Sequence, residues 1–177
     1  MHTSQPLNVT MPSDIQIIPS RADLLQSQHE CFSSIVAERE YLAFLEVPTL
    51  DDVIEFNRNQ NERGMVAFQA VLGDRVVGWC DVRRKSGEGF RHIGDLGMGV
   101  HVDFRSQGIG TRLMEATITA CWESGLHRIA LEVFSSNSRA IGLYEKLGFQ
   151  TEIVRRRARL LDGNYDDVHD MALLCDE

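Results

Sequence analysis

The run Arg105-Ser106-Gln107-Gly108-Ile109-Gly110 constrains the fold of this chain more than any other. A strand-like run, Leu96 to Val102, leads into it, and a helical pattern from Thr111 to Glu123 follows. Strand, short basic Gly-rich turn and helix together point several backbone N–H groups at one anionic group. Glycine lets the backbone approach closely, and the helix start adds donors without intrahelical acceptors and the positive end of the dipole. A turn that merely needs φ > 0 would also collect two glycines, so the motif alone leaves a phosphate site and a plain turn both open. Two other nucleotide motifs are excluded. No Gly-x-x-x-x-Gly-Lys-Ser/Thr run occurs, and Gly97-Met98-Gly99 has Val102 where a dinucleotide fingerprint needs its third glycine.

A second block gives the first its meaning. Ile129 to Phe134 is a mostly apolar run ending in Ser135-Ser136-Asn137, residue types that start helices. Ala140, Ile141, Tyr144 and Leu147 then recur at helical spacing, and Gly148 closes the pattern. With both blocks in this order, the chain resembles the GNAT family of N-acetyltransferases. Val100-x-x-x-x-Arg105-x-x-Gly108-x-Gly110 is similar to its acetyl-CoA motif. Asn137-x-x-Ala140-x-x-Leu143-Tyr144-Glu145-Lys146-Leu147-Gly148-Phe149 is similar to its second signature. The likeness is strong over residues 92–149 and reaches the flanks only in the order of elements. Val102 stands where many relatives carry a proline, a difference that touches the stiffness of the turn and no chemistry.

The rest of the chain reads as one domain. At 177 residues it is long enough for one well-buried core and short for two, with residues 1–13 as a loose polar lead-in and 14–177 as the domain. Ile15, Ile17 and Ile18 suggest a strand stopped by Pro19, and Asp23 to Glu40 has helical apolar spacing. Thr49 should cap a second helix with Asp52 nearby. Met65 to Leu72 and Arg75 to Val82 flank a hairpin turn at Gly73-Asp74, and charged Arg83 to Arg91 reads as an exposed loop. Ile153 to Leu161 and Asp167 to Leu174 make a last hairpin around Asp162-Gly163-Asn164. The expected fold class is α/β (α+β), a mixed sheet with helices on both faces. The resemblance implies a mostly antiparallel sheet of about seven strands whose central parallel pair splays apart to admit the cofactor.

Composition excludes some functions. A net charge of −8 argues against a nucleic-acid surface, and no apolar run is long enough for a membrane span. Cys31, Cys80, Cys121 and Cys175 are widely spaced, which fits reduced thiols in the cytoplasm better than a metal site or disulfides. No metal is expected.

The resemblance also implies roles. Ser106, Gln107, Gly108, Ile109, Gly110 and Thr111 would take the coenzyme A pyrophosphate through their backbone, while Arg105 adds charge or simply covers the turn. Asn137 would contact the coenzyme near its pantetheine arm, cap its own helix, or do both. The strand at Met98-Gly99-Val100 would run beside the pantetheine and donate to the thioester carbonyl. Gly97 and Gly99 mark either a bulge that frees this donor or a place where a helix packs close. Tyr144 is the candidate general acid, since an ordinary phenol is protonated at neutral pH. Glu132, a carboxylate inside an apolar strand, is the first candidate base, or else a salt-bridge partner of Arg155, Arg156 or Arg157; Asp95 is the second. Glu38, Glu40 and Tyr41 could meet an ammonium group. The implied reaction is acetyl transfer from acetyl-CoA to a primary amine, a small molecule or amino acid or a protein N-terminus. A non-catalytic acyl-CoA sensor on the same fold is the other reading. Members of the family are often homodimers, and no sequence feature here decides the oligomeric state.

Overall fold

The computed structural model describes residues 14–43 and 45–175, so the lead-in expected at residues 1–13 lies outside the described residues. The elements run β1 (Gln16–Pro19), α1 (Leu25–Ala37), α2 (Leu50–Glu62), β2 (Val66–Leu72), β3 (Arg75–Arg84), β4 (Ile93–Val100), α3 (Ile109–Glu123), β5 (Arg128–Phe134), α4 (Ser138–Lys146), β6 (Gln150–Leu161) and β7 (Asn164–Leu174). Their strands form one seven-stranded sheet in the order β1-β2-β3-β4-β5-β7-β6.

Local chemistry accounts for several boundaries. The Thr49 side chain accepts from the Asp52 N–H at 3.2 Å, and Asp52 accepts in return from the Thr49 N–H at 3.1 Å, a capping box that starts α2. Helix α1 begins later than its apolar spacing suggests, because a 3-10 turn over Ala22–Leu24 precedes it. Helix α3 begins earlier, at Ile109, because Gly108 takes up the left-handed conformation at its N-cap.

Every neighbouring pair is antiparallel except β4 and β5. Those two pair in parallel only at Ile93↔Arg128, Gly94↔Ile129 and Asp95↔Ala130, and beyond that they diverge. The splay is the opening around which the site is built. Strand β3 pairs with β4 from Gly78↔Val100 to Arg84↔Gly94 without a register shift, so there is no bulge at Gly97 or Gly99.

Side-chain alternation along β3 sorts the two faces. Trp79 packs on one face against Cys31 and Ile35 of α1, whereas Cys80 and Val82 pack on the other against Leu113, Met114 and Cys121 of α3. A Cβ on Gly99 would lie 2.4 Å from the Trp79 indole and 2.9 Å from Ile35. Glycine is therefore required there by close packing of an indole and α1. Arg83 and Arg84, expected in a loop, belong to β3.

Candidate active site

A cleft of about 870 Å³ passes through the splay and opens on both faces. On the α3 side it is lined by Met98, Gly108, Gly110, Thr111, Asn137 and Tyr144, and on the α1 side by Tyr41, Arg83, Lys85, Asp95, Glu132 and Asp170. Nearly all the residues expected to form the site thus converge on one cavity, although Gln107 and Ile109 do not line it: Ile109 is buried in the core, and Gln107 turns back to the Asp103 carbonyl at 3.1 Å.

The turn entering α3 presents a row of unpaired backbone donors. Ser106 and Gly108 both have positive φ, 61° and 77°. No carbonyl among the described residues accepts from the N–H groups of Gly108, Ile109, Gly110 or Thr111. These are the orphan donors of a helix start, carrying the positive end of the dipole of a 15-residue helix. Gly110 leaves room where Leu143 and Met98 close in, since an added Cβ would stand 3.2 Å from the former. The Arg105 side chain, in contrast, points away from the turn. Its terminal nitrogens bind the Glu38 carboxylate at 2.7 and 2.5 Å, its Nε donates to the Val100 carbonyl at 2.9 Å, and its guanidinium lies over the Tyr41 ring. The arginine ties the end of α1 to the end of β4, and its own N–H is given to the Val102 carbonyl at 3.4 Å.

The free edge of β4 supplies a second set of donors. The His101 N–H bonds the Val77 carbonyl on β3, so by alternation Gly99 also faces β3 while Met98 and Val100 face the splay. With the Val100 carbonyl taken by Arg105, the Met98 and Val100 N–H groups remain directed into the cleft.

Asn137 caps α4 by accepting from the Ala140 N–H at 3.2 Å, and it also lines the cleft. Tyr144 is buried, tilted against Phe149, and its hydroxyl has no protein partner among the described residues. Burial pushes its phenol well above the usual range, which keeps it protonated.

Of the two expectations for Glu132, the structure has the salt bridge with Arg155. Glu132 is not a buried charge: its side chain is 69% exposed and it binds Arg155 at 2.8 Å. Strand β5 alternates, with Ile129, Leu131 and Val133 in the core and Glu132 on the cleft face, so the apolar run hid a two-sided strand. Asp95 shares that face and binds Lys85 at 3.4 Å. A third carboxylate, Asp81, joins this face, one that the sequence motifs do not mark. Asp81 lies over Gly97, and burial, opposed by the nearby Arg83 charge and a Trp79 hydrogen bond, pushes its carboxyl up to about 6. The alternation Trp79-x-Asp81-x-Arg83 against Cys80 and Val82 was the signal available in the sequence.

A mixed sheet with a splayed parallel pair, a donor-rich turn at its mouth and a phenol in the gap defines an acyl-coenzyme A transferase type of fold. The acetyltransferase (GNAT) family model matches residues 22–149. The L-amino acid N-acetyltransferase AaaT of Escherichia coli is 30% identical over 147 residues, covering 81% of this chain and 90% of that protein. The ribosomal protein bS18-alanine N-acetyltransferase of E. coli is 38% identical over 74 residues, 42% of this chain and half of the relative. Among solved structures, yncA of Salmonella typhimurium, determined with its cofactor acetyl-CoA, superposes with a TM-score of 0.87 at 19% identity, covering 93% and 95% of the two chains. The chain belongs to the GNAT acetyltransferase family, and its class of activity is N-acetyl transfer.

Proposed function

We propose that this protein uses acetyl-CoA to acetylate a primary amine by direct transfer, with the coenzyme on the α3 side of the splay and the amine entering from the α1 side. The observation that carries this reading is the single cleft joining the free N–H groups of α3, the unpaired edge of β4 and the Tyr144 hydroxyl. The fit is chemical as well as spatial. Orphan donors at a helix start suit a pyrophosphate, and a narrow channel bordered by strand edges suits an amide-bearing arm. Bound there, acetyl-CoA supplies an activated acyl thioester.

The chain's own groups then do the rest. The N–H groups from Gly108 to Thr111 hold the phosphates. The Met98 or Val100 N–H donates to the acyl oxygen, a fixed donor of a kind that contributes about 3 kcal/mol to such reactions. Tyr144 Oη gives its proton to the departing sulfur. Asp95, Glu132 or a water held by them takes a proton from the amine nitrogen. No cysteine lines the cleft among the described residues, and burial pushes the Cys31 and Cys121 thiols up to about 12. An acyl-cysteine route therefore has no nucleophile, and transfer is direct.

The acceptor is a free amino acid, another small amine or a protein N-terminus. Its place of work is the cytoplasm, a reading supported by the buried free thiols. Calorimetric titration with acetyl-CoA and desulfo-CoA, followed by thiol release with pooled amino acids, polyamines and short peptides, tests the whole. Binding with turnover on one pool is expected. Binding without turnover on any amine would make the protein an acyl-CoA sensor, and no binding would refute the site.

A further inference from the structure

We infer that Arg83 is the receptor for the carboxylate of a free α-amino acid acceptor, so that the enzyme acetylates amino acids in preference to peptide or protein N-termini. The inference rests on the acetyltransferase reading above and narrows its acceptor. Most cations on the α1 face of the cleft already have a partner. Lys85 binds Asp95, Arg128 binds Glu152 in a two-pronged pair, and Arg155 binds Glu132 and Asp170 at 2.8 Å each. Arg83 lines the same face without a hydrogen-bonded partner among the described residues. Its Nε is buried and bonds to nothing, and the nearest carboxylate, Asp81, stands at 3.6 Å, too far for a hydrogen bond. The side chain as a whole is 40% exposed, so its terminal nitrogens, which bond no described group, are open to a ligand that supplies two oxygens in a plane.

Position agrees with chemistry. Along β4 the residues of this face are Asp95, Gly97 and Gly99, and their partners on β3 are Arg83, Asp81 and Trp79. The Asp81 carboxylate lies over Gly97, and Arg83 folds back toward it, which places the guanidinium about one residue pair from the Met98–Val100 donors. One such step is about 7 Å along a strand. In a free α-amino acid the carboxylate carbon is two bonds from the nitrogen, so an amine set against the acyl carbon beside those donors turns its carboxylate toward Arg83. Each added residue would carry the C-terminal carboxylate about 3.3–3.6 Å further away, and a peptide bond at that place offers a neutral carbonyl in its stead. Asp81 approaches through Nε alone, at 3.6 Å, and no hydrogen bond among the described residues occupies the terminal guanidinium nitrogens. Glu132 and Asp170 sit across the opening, where an ammonium group would arrive.

The experiment compares, for the best-used member of an L-amino acid panel, thiol release with the free acid, its carboxamide and a dipeptide bearing it at the N-terminus. Wild-type enzyme should favour the acid by about 100-fold in kcat/KM. Arg83→Met should bring the acid-to-amide ratio close to 1 through a rise in KM for the acid, with kcat for the acid changed less than about threefold. Arg83→Lys, which keeps the charge but loses the fork, should lie between. Acetyl-CoA affinity by calorimetry should be retained in both variants, which shows that they fold. Equal use of acid and amide by the wild type, or an unchanged KM in Arg83→Met, overturns the assignment while leaving the acetyltransferase reading intact. Absence of thiol release with every amine overturns both.

Discussion

Replacing Tyr144 by Phe isolates one proton. The ring lines the cleft, is buried, and is tilted against Phe149 at 5.8 Å between centroids; the substitution keeps all of that. Because the hydroxyl bonds no protein group among the described residues, its removal leaves nothing unsatisfied, and stability should change by less than about 0.5 kcal/mol. If Tyr144 delivers the proton to the departing sulfur, kcat should fall by about 100- to 1,000-fold, or about 2.7–4.1 kcal/mol in the barrier. The acetyl-CoA dissociation constant should stay within about twofold. Burial holds the phenol above its ordinary value, so the wild type should show no loss of activity from this group between about pH 8 and 10. Thiol-release kinetics, calorimetry and urea unfolding read the three quantities separately. A variant with wild-type kcat refutes the acid role, and a stability loss above about 2 kcal/mol shows that the hydroxyl serves the fold.

Three further outcomes follow from the same geometry. Gly110→Asp should abolish acetyl-CoA binding in calorimetry, because its Cβ meets Leu143 at 3.2 Å and its charge faces the phosphates; an unchanged affinity would sink the phosphate-turn assignment. Glu38→Ala, which leaves the largely buried Arg105 guanidinium unpaired, should lower stability in urea by about 1–3 kcal/mol, and a neutral effect would show that the pair is only decorative. The Asp81 carboxyl is raised from 3.8 to about 6, so the folded state holds its proton where the unfolded state has lost it. Its contribution to stability is complete below about pH 4 and is lost as pH rises through 6, by at most about 3 kcal/mol. Asp81→Asn should flatten that part of the stability-versus-pH curve and raise stability at pH 7, and an unchanged slope between pH 4 and 6 would show that burial does not govern this group.

What could be read from the sequence was local. The Thr49 and Asp52 capping box, the Gly73-Asp74 hairpin and the strand–turn–helix around Gly108 are set by residues near one another, and the structure has them where the patterns put them. The partner of Arg105 is Glu38, 67 positions away, and no spacing rule pairs two charges across that distance. Glu132 reads as a buried charge because a short apolar run looks the same whether one face of the strand is buried or both. Arg83-Arg84-Lys85 reads as a surface loop from its charge alone, whereas the strand carries these charges outward into a cleft that only the tertiary fold creates. The family was legible because its two motifs are each built almost wholly from consecutive residues.

The parallel pairing of β4 and β5 over just three residue pairs makes the sheet two leaves joined along a short seam, β1 to β4 on one side and β5, β7 and β6 on the other. Such a seam is where the fold opens first, ahead of global unfolding. A molecule bound in the gap touches both leaves, so its occupancy governs how often they part. The Met98, Val100 and Glu132 amides, which alternation directs into the gap, should exchange with solvent quickly in the free protein and slowly once acetyl-CoA is present. On the proposed reading, acetyl-CoA would be a mechanical member of the sheet, standing in for hydrogen bonds the two strands leave unmade.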